Sequence, residues 1–441
     1  MNQRDKKKSL NNIANQPYTY KYQLAGTLDG QNITQSFDRI TENQISNVIC
    51  FSHLRWNFVF QRPQHLLTRW SRDVKVYYFE EPQFGDYDTL SLKETIDGNV
   101  TILTPNLKYG MSEDEIRRYV EILLLKFIKI NKITDFIAWY YTPMALTYTK
   151  YIKPSLIIYD CMDELSGFKG AHPDLRKNER LLMNISDVVF TGGYHLYEHK
   201  KDLHENIYPF PSSIDQEHFE SGKGEKDPYD QKNIPHPRVG FYGVIDERLD
   251  IELLDKLALA TPDFNYIMIG PVVKIAPETL PKHSNIYYLG QKSYKELPSY
   301  LSNWDIAILP FAKNESTEFI SPTKTPEYLA AGKPVVSTSI KDVVKPYGED
   351  GLVQIADTVD DFAYALKNAL IQRHNLTWKK KVSANLRTNS WDLTYDKMRK
   401  IVGKCLMQKV KIEKDLFQLN LTNNRNTIGW EELKNSNNEA S

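Results

Sequence analysis

Between about residue 45 and residue 400 the chain alternates short apolar runs with longer stretches whose apolar positions recur at helical spacing. In the first half, NVICFS (47–52), VKVYYFE (74–80), DFIAWYY (135–141), LIIYD (156–160) and DVVFTG (187–192) read as strands, with a short one near 206–210. Helical spacing falls at QHLLTRW (64–70), near 113–131, near 174–185 and at 194–202. The second half repeats the theme. RVGFYG (238–243), FNYIMIG (264–270), NIYYLG (285–290), DIAILPF (305–311) and PVVST (334–338) read as strands, with a helix over 250–262. Strands separated by helices predict parallel βαβ units, and two such series predict two Rossmann-like domains facing across a cleft.

The pattern weakens at both ends. Residues 1–44 are polar and are expected to be disordered or weakly ordered. The segment GKGEKDPYDQKNIPHP (222–237), rich in Pro, Gly and charge, is read as a linker. It separates a domain over 45–221 from one over 238–390. Residues 391–441 are expected to return as a helix to the first domain and end in a flexible tail. A length of 441 residues agrees with two domains. The formal net charge of zero argues against a general affinity for nucleic acid. Three cysteines without paired spacing exclude a zinc ribbon and a disulfide framework and fit a reducing compartment. The start MNQRDKKKSLNNIANQ has the charges of a signal peptide without its apolar segment, so a cytoplasmic location is expected.

In open parallel sheets ligands bind beyond the carboxyl ends of the strands, so candidate chemistry is sought there. After DIAILPF comes SPTKTPEYLAAGKPVVS (321–337). Pro322 and Pro326 limit where a helix begins, and Ser321 is a suitable N-cap. A helix start favours a phosphate, and Lys324 adds positive charge where it is otherwise unfavourable. Glu327, three residues on, shares the face of Lys324 and has the chemistry to accept hydrogen bonds from a ribose diol. A plain Lys–Glu pair on a solvated face is the alternative.

EYLAAGKPVVS resembles the signature of GT-B glycosyltransferases, and the preceding SPTK resembles one branch of retaining, family-1/family-4-like enzymes. The resemblance implies that Glu327 holds the donor ribose and that Ser321, Thr323 and Lys324 lie at the diphosphate. The wider family often carries a sugar-facing glutamate eight residues earlier; Phe319 stands there, with Glu318 the nearest substitute. FPSSIDQEHF (210–219) resembles the inter-domain segment, and YYLGQKSYKELPSYLSNWDIAILPF (287–311) the unit whose loop reads the base. GFYGVIDERLD (240–250) resembles the first turn of the nucleotide domain, with Gly243 permitting close approach of a phosphate and Arg248 as its arginine. The first domain's FSHLRWNFVFQRPQHLL (51–67) resembles a subgroup of surface-polysaccharide glycosyltransferases, some linked to UDP-galactopyranose mutase.

That resemblance makes His53, Arg62 and Asp163 candidate catalytic residues and Arg55, Trp56 and Gln64 candidate acceptor contacts. Capping or an internal ion pair is the alternative for Arg62, and His65 reads as packing. Asp160 is read as capping a turn and Cys161 as buried packing. Gly192 and Gly193 mark either an anion contact or only a tight turn. The helix over 113–132 carries Arg117, Arg118, Lys126, Lys129 and Lys132 beside an apolar stripe. It reads either as a core-packed helix with a solvated basic edge or as a membrane-surface contact. The expected substrates are a nucleotide-sugar donor and a glycan or lipid-linked acceptor. No GxGxxG follows the first strand and no GxxxxGK[ST] occurs, which disfavours a dehydrogenase and a P-loop enzyme. No obvious Asp-x-Asp stands directly after one of the strands read above to hold a metal-bound diphosphate, so metal-independent transfer without a cofactor is expected. A sugar-nucleotide epimerase of the same fold, or a non-catalytic nucleotide-sugar or glycan-binding protein, are the other readings.

Overall fold

The structure, a computed structural model, describes residues 45–412 and residue 415. The expectations for residues 1–44 and for the polar end of the chain lie outside the described residues. Residues 45–406 form one compact unit that contains two sheets.

The first sheet has nine strands. They are β1 (Asn47–Phe51), β2 (Lys75–Phe79), β3 (Gln83–Gly85), β4 (Ser91–Asp97), β5 (Val100–Lys108), β6 (Phe136–Tyr140), β7 (Leu156–Cys161), β8 (Val188–Thr191) and β9 (Ile207–Pro209). Their order is β3-β5-β2-β1-β6-β7-β8-β9, all parallel, with β4 antiparallel on β5. The second sheet, β10 (Arg238–Tyr242), β11 (Asn265–Ile269), β12 (Ile286–Gly290), β13 (Ile306–Leu309), β14 (Val335–Ser337) and β15 (Val353–Ile355), is wholly parallel in the order β12-β11-β10-β13-β14-β15. Strand order reverses between β1 and β6 and between β10 and β13, and a crevice opens at the carboxyl end of each reversal.

Burial on both faces explains why β1 reads NVICF with no polar alternation. Val48 and Cys50 point into one core with Ile137 and Trp139 of β6, while Ile49 and Phe51 point into another with Ala138 and Tyr140. Helix α1 (Arg62–Trp70) covers the first face with Leu66, Leu67 and Trp70. Helices α2 (Glu113–Ile130), α3 (Leu175–Ile185) and α4 (Tyr194–Lys200) cover the second face with Val120, Leu124, Phe127, Leu182 and Leu196. The α2 start is fixed by Ser112 and Glu115 in a reciprocal cap, with acidic residues in the first turn. The basic residues of α2 face outward, as Arg117, Arg118, Lys126 and Lys129 are all exposed.

The second half folds around its own core, to which α5 (Ile251–Ala260), α6 (Lys324–Ala330), α7 (Val359–Gln372) and α8 (Leu376–Leu386) contribute. Residues 222–237 pack on this half, with Ile234 in the core and Gln231 bonded to Trp304 Nε1 at 2.8 Å. Helix α9, beginning at residue 391, places Trp391, Tyr395, Met398, Val402 and Cys405 on the first core. Cys50, Cys161 and Cys405 are all buried free thiols.

Arg62 and Asp160 join this framework from within. The Arg62 Nε donates to both Asp160 oxygens at 3.0 and 3.2 Å, and Nη1 donates to the Phe210 carbonyl at 2.6 Å. The side chains are 3% and 0% exposed, so neither charge has water as an alternative partner. Asp160→Ala would leave a guanidinium buried without its carboxylate, and a loss of about 3–5 kcal/mol is expected in chemical denaturation. Replacing both partners with apolar residues should recover most of it.

Candidate active site

The crevice of the second sheet is built around Gly243, immediately after β10. Its φ of +140° suits glycine, and a Cβ there would lie 2.2 Å from Cε of Lys324. The lysine side chain thus lies across a bare stretch of backbone. Its ammonium has no hydrogen bond or ion pair among the described residues; it sits 6.0 Å from the Phe241 ring centre. Burial and the nearby Arg248 guanidinium pull its pKa below the usual lysine range, against the pull of Glu327, Asp246 and Asp163. Arg248 is oriented by Asp246, with Nε at 3.0 Å from Oδ1 and Nη2 at 2.7 Å from Oδ2. Two cations therefore converge where β10 ends.

Glu327 lies one turn beyond Lys324 and is buried. The Tyr242 hydroxyl donates to its Oε2, and no hydrogen bond reaches Oε1 among the described residues. Burial pushes its pKa above the usual carboxylate range, opposed by the Tyr242 hydrogen bond and by Lys324. The helix start differs from expectation. Helix α6 begins at Lys324, and Thr323 occupies the N-cap position without a side-chain cap bond. Ser321 lies upstream: its carbonyl accepts from Ser212 Oγ at 3.0 Å, and its side chain adjoins Asp342. Pro322 precedes this short helix and Pro326 lies in its first turn; a helix so short has a small dipole, and the formal charges dominate.

From the first half, the loop after β7 brings Asp163 into the field of Arg248, Arg62 and Lys324. Burial pushes its pKa up to about 6, and those three cations oppose the rise. Phe168, at the end of this loop, stacks 5.6 Å from Arg248 and 5.2 Å from Lys274 of the second half. A Cβ on Gly167 would lie 2.8 Å from the Glu315 carbonyl, so the halves approach here backbone to backbone. His53 follows β1; its Nδ1 is buried without a partner. Burial and Lys274 push its pKa down to about 4.

The remaining sequence candidates are placed elsewhere. Arg62 is the core partner of Asp160 described above. Trp56 is 3% exposed, and its indole donates to Asp97 at 2.7 Å. Gln64 is buried and donates to the carbonyls of Trp56 and Val59 at 2.6 and 3.1 Å, holding the loop before α1. Arg55 bonds to the carbonyls of Glu81 and Pro82 at 2.5 and 2.8 Å and to Glu80. His65 stacks on Trp391 at 4.6 Å. Glu318 lies 3.4 Å from Lys341, and Phe319 is held between His195 and His199 at 5.0 and 4.7 Å. Sequence reasoning missed Tyr242, Asp246, Phe168 and Asp342. Only Asp246, two residues before Arg248, carried a local signal.

The comparisons with known proteins bear on this site. Residues 236–372, which carry Gly243, Arg248, Lys324 and Glu327, match the family model described as Glycosyl transferases group 1. The chain is 25% identical over 284 residues to a putative teichuronic acid biosynthesis glycosyltransferase, TuaH, of Bacillus subtilis (strain 168), covering 60% of this chain and 71% of the relative. Among solved structures, a trehalose-6-phosphate protein from E. coli bound with UDP-2-fluoro glucose superposes with a TM-score of 0.60 at 13% identity, covering 81% of this chain and 99% of that one. Sucrose-phosphate synthase from Thermosynechococcus elongatus superposes at 0.58 and 11% identity, covering 85% and 100%. A UDP-forming trehalose-phosphate synthase from Burkholderia xenovorans in complex with glucose-6-phosphate superposes at 0.60 and 12% identity, covering 81% and 99%. The two facing parallel sheets and the matched second half define a glycosyltransferase. It has the GT-B fold, and its second half resembles the group 1 glycosyl transferases.

The raised pKa of Asp163 has a measurable consequence. Its folded value of about 6 lies above the unfolded one, so ionisation costs the folded state free energy as pH rises through that window. Asp163→Asn is therefore expected to raise the melting temperature at pH 7.5. The gain should shrink toward zero below pH ~4, where the wild-type carboxyl is protonated in both states. A melting shift that is independent of pH would show that Asp163 is not held in this environment.

Proposed function

We propose that the protein transfers a glycosyl group from a nucleoside-diphosphate sugar to a hydroxyl of a glycan or lipid-linked acceptor in the building of a cell-surface polysaccharide. The reaction proceeds with retention and without a metal ion. The observation that carries this reading is the convergence of Lys324 and Arg248 beside the bare backbone of Gly243. Charge develops on the departing diphosphate, and fixed cations aimed at it supply electrostatic stabilisation without reorganisation. Glu327, with Oε1 open, then accepts from the ribose, one turn from Lys324.

The acceptor enters from the first half, beside Asp163 and His53. Retention is supported by the resemblance of the SPTK–EYLAAG stretch and by the electrostatics of the two candidate bases. His53, pushed down to about 4, is a weak base at neutral pH. Asp163 lies within the field of the cations rather than apart from them. Both features favour a front-side reaction in which the leaving phosphate takes the acceptor proton. The teichuronic acid relative supports a surface polysaccharide as product, and the UDP-2-fluoro glucose bound to one structural neighbour and the UDP-forming reaction named for another support uridine as base. A lipid-linked acceptor would be met at the inner face of the membrane. The outward basic residues of α2, beside exposed Ile122 and Ile130, suit such a surface.

Turnover is expected to survive EDTA; loss restored by Mg²⁺ or Mn²⁺ would overturn the metal-free reading. Glu327→Ala should weaken UDP by about 10- to 150-fold, the worth of a hydrogen bond to a charged group. Lys324→Ala should weaken UDP far more than uridine, whereas Glu327→Ala should weaken both, as read by titration calorimetry. Unchanged nucleotide affinity in both variants would remove the donor site from this helix.

A further inference from the structure

The Gly192–Gly193 turn is the tightest junction between the two halves. A Cβ on Gly192 would lie 2.2 Å from the Met162 carbonyl, in the loop that carries Asp163. A Cβ on Gly193 would lie 2.2 Å from Asp342 Oδ2 and 3.0 Å from Ser321 Cβ, both in the second half. Neither glycine has a positive φ, so close approach rather than backbone freedom is what requires them. Asp342 fills the space this leaves. Its Oδ2 accepts from the Tyr194 N–H at 2.9 Å and its Oδ1 from the His195 N–H at 2.9 Å. The Ser321 side chain adjoins the same carboxylate. Two N–H donors of the first half therefore meet on one side chain of the second.

Two neighbouring contacts lead the same way. Ser212 Oγ donates to the Ser321 carbonyl at 3.0 Å, so Ser321 is held at its backbone. Phe319, two residues before it, stacks on His195 at 5.0 Å. The segment that leads into Lys324 is thus shaped by the first half.

We propose that Asp342 is a positioning residue that couples closure of the two halves to the shape of the diphosphate pocket. With the halves apart, the N–H groups of Tyr194 and His195 are withdrawn and the Asp342 carboxylate beside Ser321 is no longer held. With the halves together, the carboxylate holds the turn and the Ser321–Lys324 segment in one geometry. Charge-assisted hydrogen bonds of this kind are strong and directional. The inference rests on the reading of that segment as the donor diphosphate site.

The test is a double-mutant cycle between the two sides of the joint. Asp342→Ala is expected to lower UDP affinity about tenfold or more and to raise the radius of gyration in X-ray scattering of the UDP-bound protein. Uridine affinity should stay within about twofold, because the ribose side is untouched. Asp342→Asn keeps one acceptor oxygen and should fall between; if the Ala variant does not fold, the Asn variant carries the same test. Gly193→Ala should be as damaging as Asp342→Ala in the wild type, yet add little on top of it, because the clash is with the removed carboxylate. Wild-type UDP affinity and scattering in the Asp342 variants, or losses that simply multiply in the double variant, would overturn the proposal. If the wild type binds no nucleoside diphosphate, the donor-site reading fails instead. The scattering and melting arms of the cycle then still decide whether the joint exists.

Discussion

Two positive side chains share one poorly hydrated crevice, and much of the site follows from that repulsion. At an effective dielectric of about 20, unit charges about 4 Å apart repel by about 4 kcal/mol. The protein answers with carboxylates from both halves. Asp246 takes up the Arg248 guanidinium directly, while Asp163 acts from across the crevice. Lys324 has no direct counter-ion among the described residues, and burial first, then the Arg248 charge, holds its pKa down. A dianionic ligand would offset that repulsion.

The first half does more than offer an acceptor. Its loop after β7 lays Phe168 over Arg248 and Lys274, and Gly167 meets Glu315. These contacts limit water around the cations, so their field is stronger than on an open surface. Phe319 illustrates the same economy. The position that carries a sugar-facing glutamate in similar enzymes is occupied by a ring clasped between two histidines of the first half.

The sequence carried most of the architecture because strands buried on both faces leave unbroken apolar runs, as in NVICF and FIAWY. It did not reveal β4, whose SLKETID alternates charge on an exposed edge, nor the three-residue β3 and β15, nor β5, whose VTILTPNLK is broken by a proline. Of the site, Lys324, Arg248, Gly243 and Glu327 were legible as residues that break local rules: a lysine at a helix start, a glycine after a strand. Arg62, Trp56 and Gln64 also follow a strand, but their side chains turn inward and are consumed by Asp160, Asp97 and loop carbonyls. Strand-end position alone does not separate a cleft residue from a core one. Asp342 was illegible for another reason: its partner Tyr194 lies 148 residues away, and no local pattern announces such a pair.

The return of α9 to the first core means that the polypeptide passes between the halves twice. The first passage runs from Phe210 in one core to Ile214 in the other, and the second from Leu386 back to Trp391. The passages are bonded to each other, by Trp391 N–H to the Ile214 carbonyl at 3.3 Å and by Ser213 with Thr394 at 2.6 Å. A single tether would let one lobe swivel and twist about the other. Two fastened side by side behave like the paired knuckles of a door hinge and leave essentially one angular freedom. Each opening and closing then retraces the same arc, returning Asp163 to the same place opposite Lys324.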